Sequence, residues 1–203
     1  MTALILDTFV SDHLIARRRE LGQDRHDEVW NGVYVMPPMP NIDHQMVVSK
    51  LTRICGAVAG RGGVVLPGAN VSDLDADWEH NYRVPDVVVT LAGSRAVDRN
   101  THYQGGPDFL VEIRSPGDDT PKKLPFYTAL GVRELLVVQR DTRAPTLYRL
   151  GRKRLAPVKP TDLDGVPCLV SAVRPLAFRR VDKRAGPRLE VRRTDGKKKT
   201  WAV

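Results

Sequence analysis

Nearly unbroken apolar runs alternate along the chain with segments of helical period. VPDVVVT at 84–90, DFLVEIR at 108–114 and ELLVVQR at 134–140 are short and rich in β-branched residues. That is the pattern of strands covered on both faces in the middle of a sheet. APTLYRL at 144–150 follows the third run closely enough to be its hairpin partner. Upstream, residues 28–36 read as a hairpin, because Asn31-Gly32 takes the positive φ angles of a type I′ turn. Residues 62–67 predict a further strand, and the polar stretch 71–82 a loop or a short strand and turn. Helices are predicted over 12–22, with Ser11 as cap, and over 42–59. In the second, Ile42, Met46, Val47, Leu51, Ile54, Cys55 and Val58 recur at helical spacing. A third helix spans 118–131. Pro121 is tolerated in its first turn, Pro125 should kink it or delay its start, and Gly131 should end it. The last fifty residues hold strand candidates at 153–158, 167–170 and 176–181. A terminal hairpin over 189–203 should turn at Asp195-Gly196. No repeat, heptad or glycine-rich phosphate loop interrupts this α/β order.

With 203 residues, 41% hydrophobic and 28% charged, the chain fits one soluble globular domain. No run approaches the roughly 18 apolar residues of a membrane helix. The N-terminal MTALILDTFVSD has a short apolar patch but neither basic flank nor cleavage site, which argues against a signal peptide. Cys55 and Cys168 lack metal-type spacing and read as buried thiols of a reducing, cytoplasmic compartment. Charge changes the picture more. Residues 1–139 carry 14 Lys/Arg against 18 Asp/Glu, whereas residues 140–203 carry 18 against 6. A cation-rich segment of this kind is either a surface for nucleic-acid phosphates or a solvated tail that aids solubility.

Asp86 and Glu112 each sit inside an apolar strand run. A buried carboxylate is costly unless paired, hydrogen-bonded or bound to metal. On neighbouring strands the two can lie side by side, and with the Ile113 carbonyl they form a set of hard oxygen donors suited to Mg²⁺ or Mn²⁺. Lys123, eleven residues after Glu112, could orient an attacking water or stabilise developing charge. This is the constellation of a metal-dependent phosphodiesterase. The structural alternative makes Asp86 a cap and Glu112 a salt-bridge partner, for example of Arg114. Arg114 shares a strand face with Glu112 by its i+2 spacing.

These residues also carry a resemblance. VPDVVV, PDFLVEIRSP, the set Asp119, Lys123, Tyr127, Gly131 and Val132, and ELLVV resemble, in order and spacing, the Uma-type putative restriction endonuclease family of the PD-(D/E)XK nuclease superfamily. EVWNGVYVMPPMP and His44 match its N-terminal pieces, so the likeness spans about residues 27–140. It implies a restriction-endonuclease-like α/β fold, a central mixed β-sheet flanked by helices, to which the residues themselves add extra C-terminal strands. It implies Asp86 and Glu112 as metal ligands and Glu28 and His44 as further polar residues near the site, while Tyr127 reads as helix packing against the sheet. The superfamily's usual lysine position, two after the glutamate, holds Arg114 here. The lysine on the following helix is matched by Lys123, while Lys122 should face away.

The chain is therefore expected to be a single domain over 1–203, with a nuclease-like core at 27–140 and a basic, β-rich extension at 141–203. It is expected to be a Mg²⁺- or Mn²⁺-dependent DNA endonuclease, possible as a homodimer because cutting both strands takes two sites. Two alternatives remain. One is a weakly active or inactive nucleic-acid-binding module of the same fold, allowed by Arg114 and the basic tail. The other is an interaction domain, for which no residue speaks.

Overall fold

The computed structural model describes residues 3–4 and 8–203, with side chains from residue 12 onward. Most of the apolar N-terminal patch, and the Ser11 side chain, lie outside the described residues. The described helices are α1 (Thr8–Glu20), α2 (Ile42–Ala57) and α3 (Thr120–Leu130). α1 begins before Ser11, which is therefore inside the helix and not its cap.

A central six-stranded sheet runs in the order Leu155–Pro157, Pro145–Leu150, Glu134–Gln139, Phe109–Arg114, Val87–Thr90, Val64–Pro67. Only Phe109–Arg114 and Glu134–Gln139 are parallel, in register from Phe109 opposite Glu134 to Arg114 opposite Gln139. The other neighbours are antiparallel, so the sheet is mixed. Parallel neighbours cannot be joined by a hairpin, and the chain crosses between them through α3. That crossover lays α3 over the strand that carries Glu112.

Side-chain alternation builds two apolar layers. Val87, Val89, Phe109, Val111 and Ile113 face α2, which contributes Val47, Val48, Leu51, Ile54 and Cys55. Val88, Leu110, Leu135 and Val137 face the other way, against Tyr127 and Val132. Both faces are covered, which is why these strands read as continuous apolar runs. Cys55 and Cys168 are free and buried. Within α2 the sequence overextends the apolar stripe. Ile42 and Met46 are 81% and 51% exposed, because the helix covers the sheet only from Val47 onward.

α3 is fixed at both ends. Asp118 Oδ1 accepts from Thr120 N and Oγ1, both at 2.6 Å. At the other end Gly131 takes φ 82°, and the N–H of Val132 returns to Tyr127 O at 3.0 Å. The helix passes through Pro125, so the expected delay in its start does not occur. Gly106 allows close approach there: a Cβ would stand 2.5 Å from Gly131 C and Val132 N.

A second sheet gathers the hairpin Glu28–Trp30/Val33–Met36 with Ala3–Leu4, Tyr82–Arg83, Val71–Ser72, Tyr103–Gln104 and Val97–Asp98. Asn31 and Gly32 take φ 50° and 84°, as the hairpin reading requires. Arg18 ties α1 to it through Asp27 at 2.6 and 2.7 Å. The third sheet is an antiparallel meander of Thr161–Asp162, Pro167–Val170, Leu176–Lys183, Gly186–Arg193 and Thr200–Ala202. Its terminal strands pair as expected. Arg193 N bonds Lys199 O, however, so Asp195-Gly196 lies in a longer loop and is not a two-residue turn. Leu176, Phe178, Leu189 and Val191 of this sheet join the same core as α2.

Candidate active site

Asp86 immediately precedes the strand Val87–Thr90, where it meets the end of Phe109–Arg114. Its Oδ2 accepts the Ile113 N–H at 2.6 Å, and its Oδ1 accepts from His44 Nε2 at 2.8 Å. His44 stands in the first turn of α2. Asn41 caps that helix, its Oδ1 accepting the His44 N–H at 2.9 Å. The loop of prolines before the cap thereby delivers His44 to Asp86.

Glu112 projects to the opposite side of its strand from Ile113, toward α3, and is 4% exposed. Its Oε1 accepts from Tyr127 OH at 2.6 Å and Lys123 Nζ at 3.2 Å. Lys123 and Tyr127 are four apart and share one face of α3. Lys123 Nζ also donates to Glu28 Oε1 at 2.8 Å. Glu28, from the N-terminal hairpin, accepts in addition from Val84 N at 2.8 Å and Trp30 Nε1 at 2.7 Å. The ammonium thus bridges two buried carboxylates from different sheets. Lys122 pairs with Asp119 at the surface, at 2.9 Å, as its position on the helix requires.

Burial is the main force that pushes Glu112 up from its ordinary 4.5 to about 8. Lys123 opposes that shift, Asp86 and Glu28 add to it, and Tyr127 opposes it. Burial disfavours the Lys123 cation, but Glu112 and Glu28 outweigh it and hold the ammonium above the ordinary lysine value. Both donors to Glu112 use Oε1. Oε2 bonds no group among the described residues.

Asp86, Glu112, Lys123, Glu28 and His44 all line one cleft of about 310 Å³, together with Ile113. The sequence reading did not anticipate His26, Ser115, Asp118 and Arg140 on its walls. They belong to loops and strand ends, where no periodicity marks them. Tyr127 is fully buried packing, as expected, and also holds Glu112. Arg114 makes no salt bridge to Glu112 and does not line the cleft. It borders a neighbouring depression.

Among the described residues no three His, Cys, Asp or Glu side chains form a ready-made metal cage. Two carboxylates on an open wall, one with a free oxygen, nevertheless fit Mg²⁺. That ion takes one or two carboxylates and fills its shell with water and phosphate oxygens.

Residues 14–175 match the Uma2 family, described as putative restriction endonucleases. The chain belongs to the Uma2 family. Among curated proteins none matches. A crystal structure of a putative nuclease belonging to DUF820, from Anabaena variabilis, is 18% identical over 70% of this chain and 81% of that one, with a TM-score of 0.53. At that identity the likeness concerns the fold, which is restriction-endonuclease-like. The Uma2 match runs past residue 140, where the motif resemblance ends, into the C-terminal sheet, and stops short of Leu176. Enzymes of this fold generally use divalent metal ions. No described helix of this Uma2 chain is long and apolar enough to cross a membrane.

Proposed function

We propose that the chain is a DNA endonuclease that uses Mg²⁺ or Mn²⁺, with Asp86 and Glu112 as the metal-binding carboxylates and the Ile113 carbonyl beside them. One observation carries this reading. Three separate segments bring Asp86, Glu112 and Lys123 to one cleft, where Glu112 Oε2 has no partner among the described residues. A divalent ion held there would lower the pKa of a bound water and neutralise charge on the scissile phosphate. Lys123 remains an ammonium across the physiological range, so it stabilises charge and orients water but accepts no proton. Glu28 positions Lys123, His44 holds Asp86, and Tyr127 holds Glu112 Oε1.

Plasmid nicking tests the proposal. The wild type should nick DNA with Mg²⁺ or Mn²⁺ and stop in EDTA, and Glu112→Gln should not nick under either condition. Cutting in EDTA, or equal cutting by Glu112→Gln, would refute it. The basic C-terminal sheet and Arg114 favour a second reading, a nucleic-acid-binding module without turnover. Salt-dependent DNA binding with no nicking in either ion would select that reading.

A further inference from the structure

We infer that the cleft is the middle of a longer groove that holds a DNA backbone on both sides of the scissile phosphate. In it Arg114 is a phosphate-binding residue and not a substitute for a catalytic lysine. The choice of DNA rests on the nuclease reading above. The groove itself rests on which walls adjoin the cleft and on which cations lack internal partners.

On one flank the cleft shares Ser115 and Pro116 with a depression lined by Arg114, Gln139, Thr142 and Asp141, whose carboxylate is paired with Arg140 at 2.7 Å. On the other flank it shares His26, Val84 and Asp86 with a depression of about 450 Å³ that brings in Arg25 and Gln45. Gln45 in turn borders the outer face of α2, with Lys50 and Arg53. The walls therefore continue in both directions from Asp86 and Glu112. Ile42 and Met46, exposed where the sequence places them in the core, belong to this outer face and offer apolar contact beside the cations.

Many arginines elsewhere are occupied, Arg18 by Asp27, Arg133 by Asp108, Arg149 by Glu134 and Arg179 by Glu190, while Arg61, Arg95, Arg152, Arg154 and Arg184 bond no carboxylate among the described residues but line none of these walls. Arg25, Lys50, Arg53 and Arg114 bond no carboxylate among the described residues. A cation without an internal partner keeps its charge for an external anion. Four of them on two flanks match a chain of phosphates that enters and leaves the cleft. A site for a strand terminus needs contacts on one side only. A guanidinium is permanently charged and binds a phosphate through two parallel N–H donors, which suits Arg114 to clamping and not to proton transfer.

The test measures DNA binding in EDTA across a salt series, in a Glu112→Gln background that leaves the DNA intact. Each lost phosphate contact should flatten the log–log salt slope by about 1, so Arg114→Gln should flatten it by about 1 and the Arg25→Gln/Lys50→Gln/Arg53→Gln variant by about 3. Thermal melts should show all these variants folded. With Glu112 restored, Arg114→Gln should raise KM about tenfold at nearly constant kcat. Arg114→Lys should recover most of the affinity without raising kcat. Unchanged slopes, or a higher kcat in Arg114→Lys, would overturn the inference. Altered slopes with no cleavage in Mg²⁺ or Mn²⁺ would sink the nuclease reading and leave the groove. Normal cleavage with unaltered slopes would do the reverse.

Discussion

Glu112 and Lys123 show how one residue pair couples stability to chemistry. Burial in the folded protein pushes the Glu112 pKa up from its ordinary 4.5 to about 8. Stability from this raised pKa is complete below about 4.5 and is lost as pH rises through about 8. The metal-free protein should therefore melt at progressively lower temperature across that window, and Glu112→Gln should flatten the trend. Metal competes with the Glu112 proton. Mg²⁺ or Mn²⁺ affinity measured by calorimetry should rise with pH and level off above about 8, and Asp86→Ala should abolish binding. If affinity is independent of pH, Glu112 is not a ligand. Lys123→Ala leaves the buried Glu28 carboxylate without its cation, beside Glu112, so it should cost about 3–5 kcal/mol of stability. It should also slow cleavage by roughly 10²-fold. Pairing Lys123→Met with Glu28→Gln removes the Glu28 charge and should recover much of the melting temperature but none of the activity. That outcome would separate the role of the ammonium in folding from its role in the reaction.

At the scale of elements, placement of α3 decides whether Lys123 and Tyr127 reach Glu112. Gly106→Ala would push a methyl group against the backbone at Gly131 and Val132, where a flexible side chain cannot yield. We expect a loss of about 1–3 kcal/mol in thermal melts. Cleavage at a temperature where the variant is fully folded should fall as well, because the helix must shift. Full activity in a destabilised Gly106→Ala would show that the geometry tolerates that shift. The elements around the site were legible in sequence where packing is two-sided, as in Val87–Thr90 and Phe109–Arg114, or where the turn chemistry is strong, as at Asn31-Gly32. Val71–Ser72 and Tyr103–Gln104 were not legible. Two-residue strands carry no period, and their pairing depends on partners some thirty residues away. Helical spacing in α2 marks an apolar stripe but not how far the sheet extends beneath it, so Ile42 and Met46 were misplaced. Glu134 shows the limit of reading carboxylates by context. It too heads an apolar run and is fully buried. Yet its Oε1 takes Arg149 and Ala172 N, and its Oε2 takes Ser171 and Val173 N. Both oxygens are engaged and Glu134 does not line the cleft, which makes it a structural tie. Asp86 and Glu112 differ by their place on the cleft wall, and no sequence pattern encodes that.

At the scale of the whole molecule, the last 28 residues lie beyond the family match yet belong to the core. Residues 176–203 hold ten Lys/Arg against three Asp/Glu, and a strongly charged segment can look like a detachable tail. Its strands argue otherwise. Phe178 stacks on Phe109 with ring centroids 6.2 Å apart, and Leu189, Val191 and Val203 are buried with it. Arg174, between the strands Pro167–Val170 and Leu176–Lys183, donates to the Cys55 and Ala59 carbonyls at the end of α2, both at 3.3 Å. The Cys55 carbonyl also accepts the Val58 N–H, at 3.2 Å, so Arg174 reinforces the last turn of α2. We therefore expect one cooperative melting transition, with no separable C-terminal step. Light scattering should report a homodimer, since cleavage of a duplex on both strands needs two such clefts; a monomer that still linearises plasmid would argue against that. The sharper test is Phe178→Ala. It removes a fully buried ring from the layer that also contains Phe109, Val111 and Ile113, and should cost about 3–5 kcal/mol in chemical denaturation. Because Ile113 donates its N–H to Asp86, loosening this layer should also weaken divalent-metal binding, although Phe178 does not line the cleft. Truncation after Pro175 should yield protein that does not fold. A truncated chain that melts cooperatively, or a Phe178→Ala variant as stable as the wild type, would show the C-terminal sheet to be an appendage after all.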